Sequence, residues 1–222
     1  MRRVPEPELM SEEDQSLAYA AADFAEPHQS YVRVFEELFP DRRSDASVLD
    51  LGCGPCDVTI RFARANPGWT FVAVDGSPAM LRRAAEALKR EPSVQRRVRL
   101  TEGLIPGVVL PESSYDVLLA SSFLHHLHEP DMLWQSVKNY TRAGMIVFVP
   151  DLRRPESEVA AKSLVAQYAS EEPESLRRDF YHSLLAAFTV EEVEDQLRAT
   201  GLEDLSVRVM DDRHLLIWGR MV

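Results

Sequence analysis

The chain has 222 residues, enough for one domain whose sheet is covered by helices on both faces. With 36 acidic residues against 25 Lys and Arg, its net charge of −11 disfavours a nucleic-acid substrate, because affinity for nucleic acid comes mainly from cations that meet phosphates. No apolar run approaches the ~18 residues of a membrane span, and the two cysteines build no disulfide framework, so we expect a cytoplasmic protein that does not bind membranes.

The first predicted elements are two helices within residues 11–39, separated at Glu26-Pro27. Ser11 followed by Asp14 is typical of a helix start, since an N-cap hydroxyl with an acid three residues later satisfies free amides. The apolar residues at 34, 35, 38 and 39 would form one face of the second helix.

Strands and helices then alternate. We predict strands near 47–51, 70–75, 97–101, 115–120 and 144–149, and helices near 56–65, 78–90 and 130–140. Alternation of this kind favours a parallel sheet with right-handed crossovers, in which ligands lie beyond the carboxyl ends of the strands.

The remaining residues begin with a charged, helix-forming segment between Asp151 and Phe188. Thr189 and Glu192 predict a capping box for a further helix that ends at Gly201. Two strand-like runs follow, residues 205–210 and 214–218.

The first predicted strand runs into a glycine turn at residues 50–54 (DLGCG), and the second ends in Asp75. Glycines let the backbone approach a ligand closely, and an acid about 20 residues further on can bind both hydroxyls of a ribose. Asp50, a carboxylate at the end of a buried strand, suits a cationic amino group. An adenosine that carries an ammonium group describes S-adenosylmethionine.

Three segments resemble, in order, motifs of the class I S-adenosylmethionine-dependent methyltransferases of the small-molecule type. They are residues 50–54, residues 74–81 (VDGSPAML) and residues 115–127 (YDVLLASSFLHHL), within a resemblance that spans about 46–150. The resemblance implies an α/β fold: a Rossmann-like seven-stranded, mostly parallel sheet with an antiparallel C-terminal hairpin and helices on both faces. A helical cover at the N-terminus and a helical insertion before the last two strands would complete it.

We therefore divide a single methyltransferase domain, residues 1–222, into four parts. These are the N-terminal cover (1–45), the cofactor-binding core (46–150), a lid insertion (151–188) and the C-terminal helix with its hairpin (189–222). The alternative for the insertion is a solvated helical hairpin without a ligand role.

The resemblance implies S-adenosylmethionine as the cofactor and a set of residues that bind it. Leu104 falls where the family often has an adenine-binding acid, which leaves that contact open, and Asp116 is expected to be structural. The predicted cofactor-binding residues are Asp50, Gly52, Cys53, Gly54, Asp75, Gly76, Ser77, Met80, Gly103, Leu104 and Ser121.

The predicted reaction is in-line methyl transfer to a small-molecule acceptor, with no nucleic acid as partner. His125 and His126 follow the fourth strand and are the catalytic candidates, although adjacent histidines point in different directions and either can be structural. The predicted acceptor-binding residues are Tyr19, Phe24 and His28 from the cover, which could equally dock the helices on the sheet, and Arg153, Arg178 and Tyr181 from the insertion. No metal site is predicted, since no spaced acid or cysteine joins His128 and Glu129.

Three other interpretations remain open at this point. Cys53-Gly54-Pro55-Cys56 spells the active-site tetrapeptide of thioredoxin-like thiol-disulfide oxidoreductases. A nicotinamide dehydrogenase would need a glycine where Asp57 places an anion near the pyrophosphate. A protein of the same fold could also bind S-adenosylmethionine without catalysis, or transfer a group other than methyl. Neither the acceptor atom nor the oligomeric state follows from the sequence.

Overall fold

The computed structural model describes residues 1–10 and 12–222, which fold around one seven-stranded sheet. Its strands are β1 (Ser47–Leu51), β2 (Thr70–Asp75), β3 (Val98–Glu102), β4 (Val117–Leu119), β5 (Ile146–Leu152), β6 (Ser206–Val209) and β7 (His214–Arg220). The strand order is β3-β2-β1-β4-β5-β7-β6, with β7 antiparallel to both of its neighbours and all other pairs parallel. The predicted fold class is confirmed.

Helices cover both faces of this sheet. They are α1 (Glu13–Ala21), α2 (Ala25–Leu38), α3 (Asp57–Ala65), α4 (Pro78–Lys89), α5 (Pro92–Gln95), α6 (Asp131–Tyr140), α7 (Glu158–Tyr168), α8 (Glu174–Ala186) and α9 (Val190–Thr200). One apolar cluster joins α2, α3 and α4 to the sheet, and a second joins α6 and α9 to the other face. The central strands are apolar along almost their whole length because both of their faces are buried.

The helical break in the N-terminal region lies earlier than predicted. Residues 22–24 separate α1 from α2, and Pro27 lies inside the first turn of α2. Proline is tolerated there because its missing N–H would have had no partner within the helix. The predicted N-cap at Ser11 lies outside the described residues.

Helix α2 is fixed to the sheet by the ring of Phe35, which is fully buried. It meets the rings of Phe62 and Phe148 edge-on at 5.2 Å, and that of Trp69 at 5.7 Å. Edge-to-face pairs of this kind add roughly 0.5–1.5 kcal/mol each to the apolar burial. Helix α2 is therefore held firmly on the sheet, and the residues at the start of α2 lie over the carboxyl edge of the sheet.

The 151–188 segment folds as the helix pair α7 and α8 with a small apolar cluster of its own, which includes Leu164 and Leu184. Helix α8 also packs against α1, so the insertion and the cover meet above the sheet. Thr189 and Glu192 form the predicted capping box, and Gly201 ends α9 at a φ of 69°. Within the described residues, none of the helices combines the length and the apolar character that a membrane span requires.

Candidate active site

The turn after β1 takes a path that only glycine accommodates well. Gly52 and Gly54 have φ values of 69° and 51°, in the left-handed region. A Cβ on Gly52 would lie 2.2 Å from the ring of Phe123, so any side chain at Gly52 would displace that ring. The backbone of the turn is thereby held open at the carboxyl edge of the sheet.

Asp50 lies beneath this turn and is 1% exposed. Its Oδ2 accepts a 2.5 Å hydrogen bond from the hydroxyl of Thr59, whereas its Oδ1 is buried without a partner among the described residues. Burial raises the pKa of Asp50 to about 7, and the nearby charge of Asp75 acts in the same direction. An unpartnered buried carboxylate oxygen suits an ammonium group.

Asp75 ends β2 and faces the same turn. Its Oδ2 accepts from the backbone N–H of Gly54 and its Oδ1 from that of Ser77, both at 2.8 Å. Each oxygen keeps acceptor capacity for a hydroxyl group. The hydroxyl of Ser77 is itself used twice, since it caps α4 at Met80 and donates to the carbonyl of Met10.

A cavity of about 210 Å³ opens above these residues. Of the predicted cofactor-binding residues, the structure places nine on its wall: Gly52, Cys53, Gly54, Asp75, Gly76, Met80, Gly103, Leu104 and Ser121. Asp50 and Ser77 are buried behind this wall and do not line the cavity. The loop after β3 contributes Leu104 and Ile105, while Glu102 points to solvent, so this end of the cavity is apolar.

A second cavity, of about 410 Å³, adjoins the first. Seven residues line both cavities: Met10, Tyr19, Asp23, Phe24, His28, Ser122 and His126. Among them are Tyr19, Phe24 and His28, the three acceptor-binding residues predicted in the cover. The structure thus places these three residues at the boundary between the two cavities.

The wall of the second cavity is aromatic and acidic. The rings of Tyr19, Phe24, His28 and Tyr31 follow one another at centroid distances of 4.9, 5.3 and 5.7 Å. The carboxylates on the wall are those of Asp23, Glu26, Glu172 and Asp179, against one guanidinium, that of Arg213. The guanidinium of Arg213 already lies over the ring of Tyr168, 3.3 Å from its centroid.

The acceptor-binding residues predicted in the insertion lie elsewhere. Arg153 donates to the carbonyl of Asp212, Arg178 is exposed beside Asp179, and Tyr181 packs with its own helix pair. None of the three is on the wall of either cavity, so neither cavity supports their predicted role, which stays a prediction. The sequence showed that the segment was helical but not which face of α8 turns inward; the inward residues are Leu176, Asp179, Phe180 and Ser183.

The two predicted catalytic histidines form a 3₁₀ turn, Leu124–His126, that follows β4. His125 is 2% exposed, and its Nδ1 lies 2.6 Å from Oδ1 of Asp151. Burial opposes protonation of His125, but the charge and hydrogen bond of Asp151 outweigh it and raise the pKa of the imidazole. Burial, followed by the charge of His125, lowers the pKa of His126 to about 3. His126 lies on the wall of both cavities and His125 on that of the second.

Residues 1–10 form a segment that the sequence analysis did not anticipate. Arg3 donates to the carbonyls of His125, Leu127 and Ala186, which ties the segment to the histidine turn and to α8. Glu8, Leu9 and Met10 line the first cavity. Nothing in the composition of this stretch signals a site, because its contacts are all distant in sequence.

The thiol-disulfide interpretation finds no support in the geometry of the turn. Cys53 and Cys56 are free thiols that are 8% and 0% exposed. The hydrogen bond to Cys56, together with burial, raises the pKa of the Cys53 thiol, whereas a reactive thiol needs a lowered pKa and solvent access.

The dinucleotide interpretation is opposed by Asp57, which lies in the first turn of α3 on the wall of the first cavity. Although burial acts the other way, hydrogen bonds from His28 and Arg61 lower the pKa of Asp57 to about 2. A fixed anion at this helix start repels a pyrophosphate.

Comparison with known proteins agrees with this site. A family model described as a methyltransferase domain matches residues 49–146. The match supports the predicted resemblance to the class I S-adenosylmethionine-dependent methyltransferases, with S-adenosylmethionine as the cofactor. An uncharacterized methyltransferase of Schizosaccharomyces pombe is 28% identical to the chain over 101 residues, which are 44% of this chain and 36% of the relative. Ribosomal RNA large subunit methyltransferase F of Pectobacterium atrosepticum is 28% identical over 97 residues, 40% of this chain and 31% of the relative. The matches thus span about a third of each relative.

Solved structures extend the likeness to the whole fold. A methyltransferase from Aquifex aeolicus that is described as SAM-dependent superposes with a TM-score of 0.68 at 16% identity, over 95% of the chain described here and 99% of the Aquifex chain. A plantazolicin methyltransferase, solved with SAH and a triazolic desmethylPZN analog, gives a TM-score of 0.64 at 13% identity, over 91% and 84% of the two chains. At these identities the likeness concerns the fold alone.

Proposed function

We propose that the chain transfers the methyl group of S-adenosylmethionine to a small acceptor held in the second cavity. The observation that carries this proposal is the shared wall: a cavity at the Gly52 turn opens onto a second one through seven common residues. The cofactor's methyl group would lie at this boundary, near Ser122 and His126. Ser122 has a φ of 49°, a strained backbone state that is often found at functional sites.

In-line transfer needs little chemistry from the protein. A lone pair of the acceptor attacks the methyl carbon, the carbon–sulfur bond breaks, S-adenosylhomocysteine leaves, and the acceptor loses a proton where it carries one. The cofactor supplies the driving force, so the chain mainly orients the partners and excludes water. Direct catalysis by His125 or His126 stays a prediction, supported by their place on the cavity walls.

The composition of the second wall favours a neutral or cationic acceptor, such as an amine, over an anionic one. Even with Glu26 paired to Arg33 and Asp179 to Arg178, the described wall carries the carboxylates of Asp23 and Glu172 against one guanidinium, that of Arg213, which stacks on Tyr168. Aromatic rings attract cations through their negative faces, which adds to the electrostatic preference. Although two relatives, both from Pectobacterium, are named for ribosomal RNA, the cover and the insertion together enclose this cavity, which favours a small molecule over a polynucleotide.

Turnover with matched acceptors tests the proposal. The protein would be incubated with S-adenosylmethionine and pairs of aryl-alkyl amines and carboxylic acids of equal length, and S-adenosylhomocysteine would be quantified. We expect the amines to be methylated and the acids to be inert. Calorimetric titration of S-adenosylhomocysteine and NAD onto the same protein should show binding of the first only. Turnover confined to ribosomal RNA fragments, or cofactor binding without turnover on any of these acceptors, would contradict the proposal.

A further inference from the structure

Glu6 converges beside the second cavity with two adjacent histidines, His125 and His126, that lie far from it in sequence. Oε1 of Glu6 lies 3.6 Å from Nε2 of His125 and 3.3 Å from Nδ1 of His126. All three ligand atoms lie within 4.8 Å of one another. Glu6 belongs to the N-terminal segment and the histidines to the turn after β4, so only the folded chain assembles this group.

Hydrogen bonds do not account for the arrangement. The 3.6 Å separation between Glu6 and His125 is too long for a hydrogen bond. Nδ1 of His126 is buried and, within the described residues, has no hydrogen-bond partner, although a carboxylate oxygen lies 3.3 Å away. An unpaired buried imidazole nitrogen is costly to leave uncompensated. Oε1 of Glu6, Nε2 of His125 and Nδ1 of His126 therefore lie around a common point, but no hydrogen bond joins them directly.

Two of their three separations fit those expected around a metal ion, and the third is below 4.8 Å. Two ligand atoms about 2.0–2.1 Å from a zinc ion at tetrahedral angles lie about 3.3–3.4 Å apart. The two measured edges, 3.3 and 3.6 Å, fall at and slightly above this value. Two imidazoles and one carboxylate are ligands that suit zinc and similar divalent transition metals.

The outer contacts also follow the pattern of metal sites, in which ligating side chains are themselves held by hydrogen bonds. Oδ1 of Asp151 is hydrogen-bonded to Nδ1 of His125 at 2.6 Å. The carboxylate of Asp151 also accepts hydrogen bonds from three backbone N–H groups, those of Phe123, Leu124 and Leu152. This leaves Nε2 of His125 for a second partner. Ser183 of α8 donates to Oε1 of Glu6 at 2.9 Å, so the carboxylate is oriented as well.

From this geometry we propose that Glu6, His125 and His126 bind a divalent transition metal of the zinc type. Three protein ligands leave a coordination position open. Both histidines and Ser183 lie on the wall of the second cavity, so the open position would be adjacent to the bound acceptor. The metal would also fasten the N-terminal segment to the histidine turn.

Zinc chloride titrated onto the full chain, freed of metal by chelation, tests this proposal by calorimetry, with cobalt(II) as a spectroscopic substitute. We expect one ion per chain. Glu6→Gln removes the anionic ligand but keeps a group that can accept from Ser183, and we expect it to weaken zinc binding at least about tenfold. His126→Asn should do the same. Since neither change removes an apolar core contact, thermal unfolding without metal should remain cooperative in both variants, and the zinc-dependent rise in Tm should shrink.

His182→Asn is the matched control, because His182 is an exposed histidine on the neighbouring α8 and lies outside the group. It should bind zinc like the unmodified chain. The proposal fails if the chain binds no zinc at 100-fold excess over protein, or if Glu6→Gln and His126→Asn bind it as tightly as His182→Asn. It also fails if bound cobalt shows a thiolate charge-transfer band, because that band would assign the ion to Cys53 and Cys56.

Discussion

The first cavity, at the Gly52 turn, and the second cavity lie side by side, but their walls come from very different parts of the chain. Much of the first is backbone: the Gly52 turn, the end of β2 and the loop after β3, which parallel strands bring to one edge. The second is made of side chains from the cover, the histidine turn, the insertion and the loop before β7. Where backbone forms the wall, motifs in the sequence mark it; where scattered side chains form it, tertiary packing decides which of them face inward.

The largest expected effect concerns the first cavity. Replacing Asp75 with Ala removes the predicted acceptor of the ribose hydroxyls and also frees the amides of Gly54 and Ser77. We expect calorimetry to show S-adenosylhomocysteine binding weakened roughly ten- to hundredfold, the loss of a charge-assisted hydrogen-bond pair. Asp116→Ala is the control, since Asp116 also holds a backbone amide, that of Ser47, but at the opposite end of the strands. If both variants bound the cofactor equally well, the role of Asp75 would be refuted.

A smaller effect is expected at α8, where neighbouring residues differ in direction. Phe180 lines the second cavity and Arg178 points away from it. Phe180→Ala should therefore raise KM for the acceptor several-fold while leaving cofactor affinity unchanged, because it removes part of the acceptor's apolar contact surface. Arg178→Ala should leave both quantities unchanged. Equal effects of the two substitutions would show that α8 does not face the acceptor.

Asp50 gives a prediction about pH. Its pKa is raised to about 7 by burial, above the ~3.9 of an unfolded aspartate, so between these values the folded state binds more protons than the unfolded state. The free energy of unfolding should consequently fall as pH rises from 5 to 8, by on the order of 2 kcal/mol for this group. Urea unfolding of Asp50→Asn and of the unmodified chain over this pH range isolates the contribution of Asp50. The free energy of unfolding of the variant should rise relative to that of the unmodified chain as pH rises. A constant difference would mean that Asp50 is ionised throughout.

The smallest effect is expected from the cysteines. Cys53→Ala combined with Cys56→Ser removes both thiols but keeps small side chains in the turn. Cofactor affinity should stay within a few-fold, and the unmodified chain should not reduce insulin disulfides, because its thiols are buried and the pKa of Cys53 is raised. Turnover of insulin disulfides would restore the oxidoreductase interpretation.

The sequence predicts features of the first cavity better than features of the second. The parallel core strands, the Gly52 turn and Asp75 could be inferred because short apolar runs, glycines and an acid at fixed spacing are local signals. The seven-stranded sheet followed from the family resemblance. The inward face of α8 could not, since Asp179 and Arg178 are adjacent charged residues that only packing distinguishes. Glu6 was missed for a related reason: its partners are more than 100 residues away, and a lone glutamate near the start of a chain carries no pattern.

The seven residues that line both cavities have a consequence for the kinetics. The proposed cofactor and acceptor sites share these side chains, so an acceptor in the second cavity would hold Tyr19, Phe24 and His126 in place and hinder the departure of the cofactor. Catalysis should then follow a compulsory order, with S-adenosylmethionine first to enter and S-adenosylhomocysteine last to depart. Under such a sequence, the ratio of the two nucleosides in the surrounding solution would set the rate more directly than the supply of acceptor.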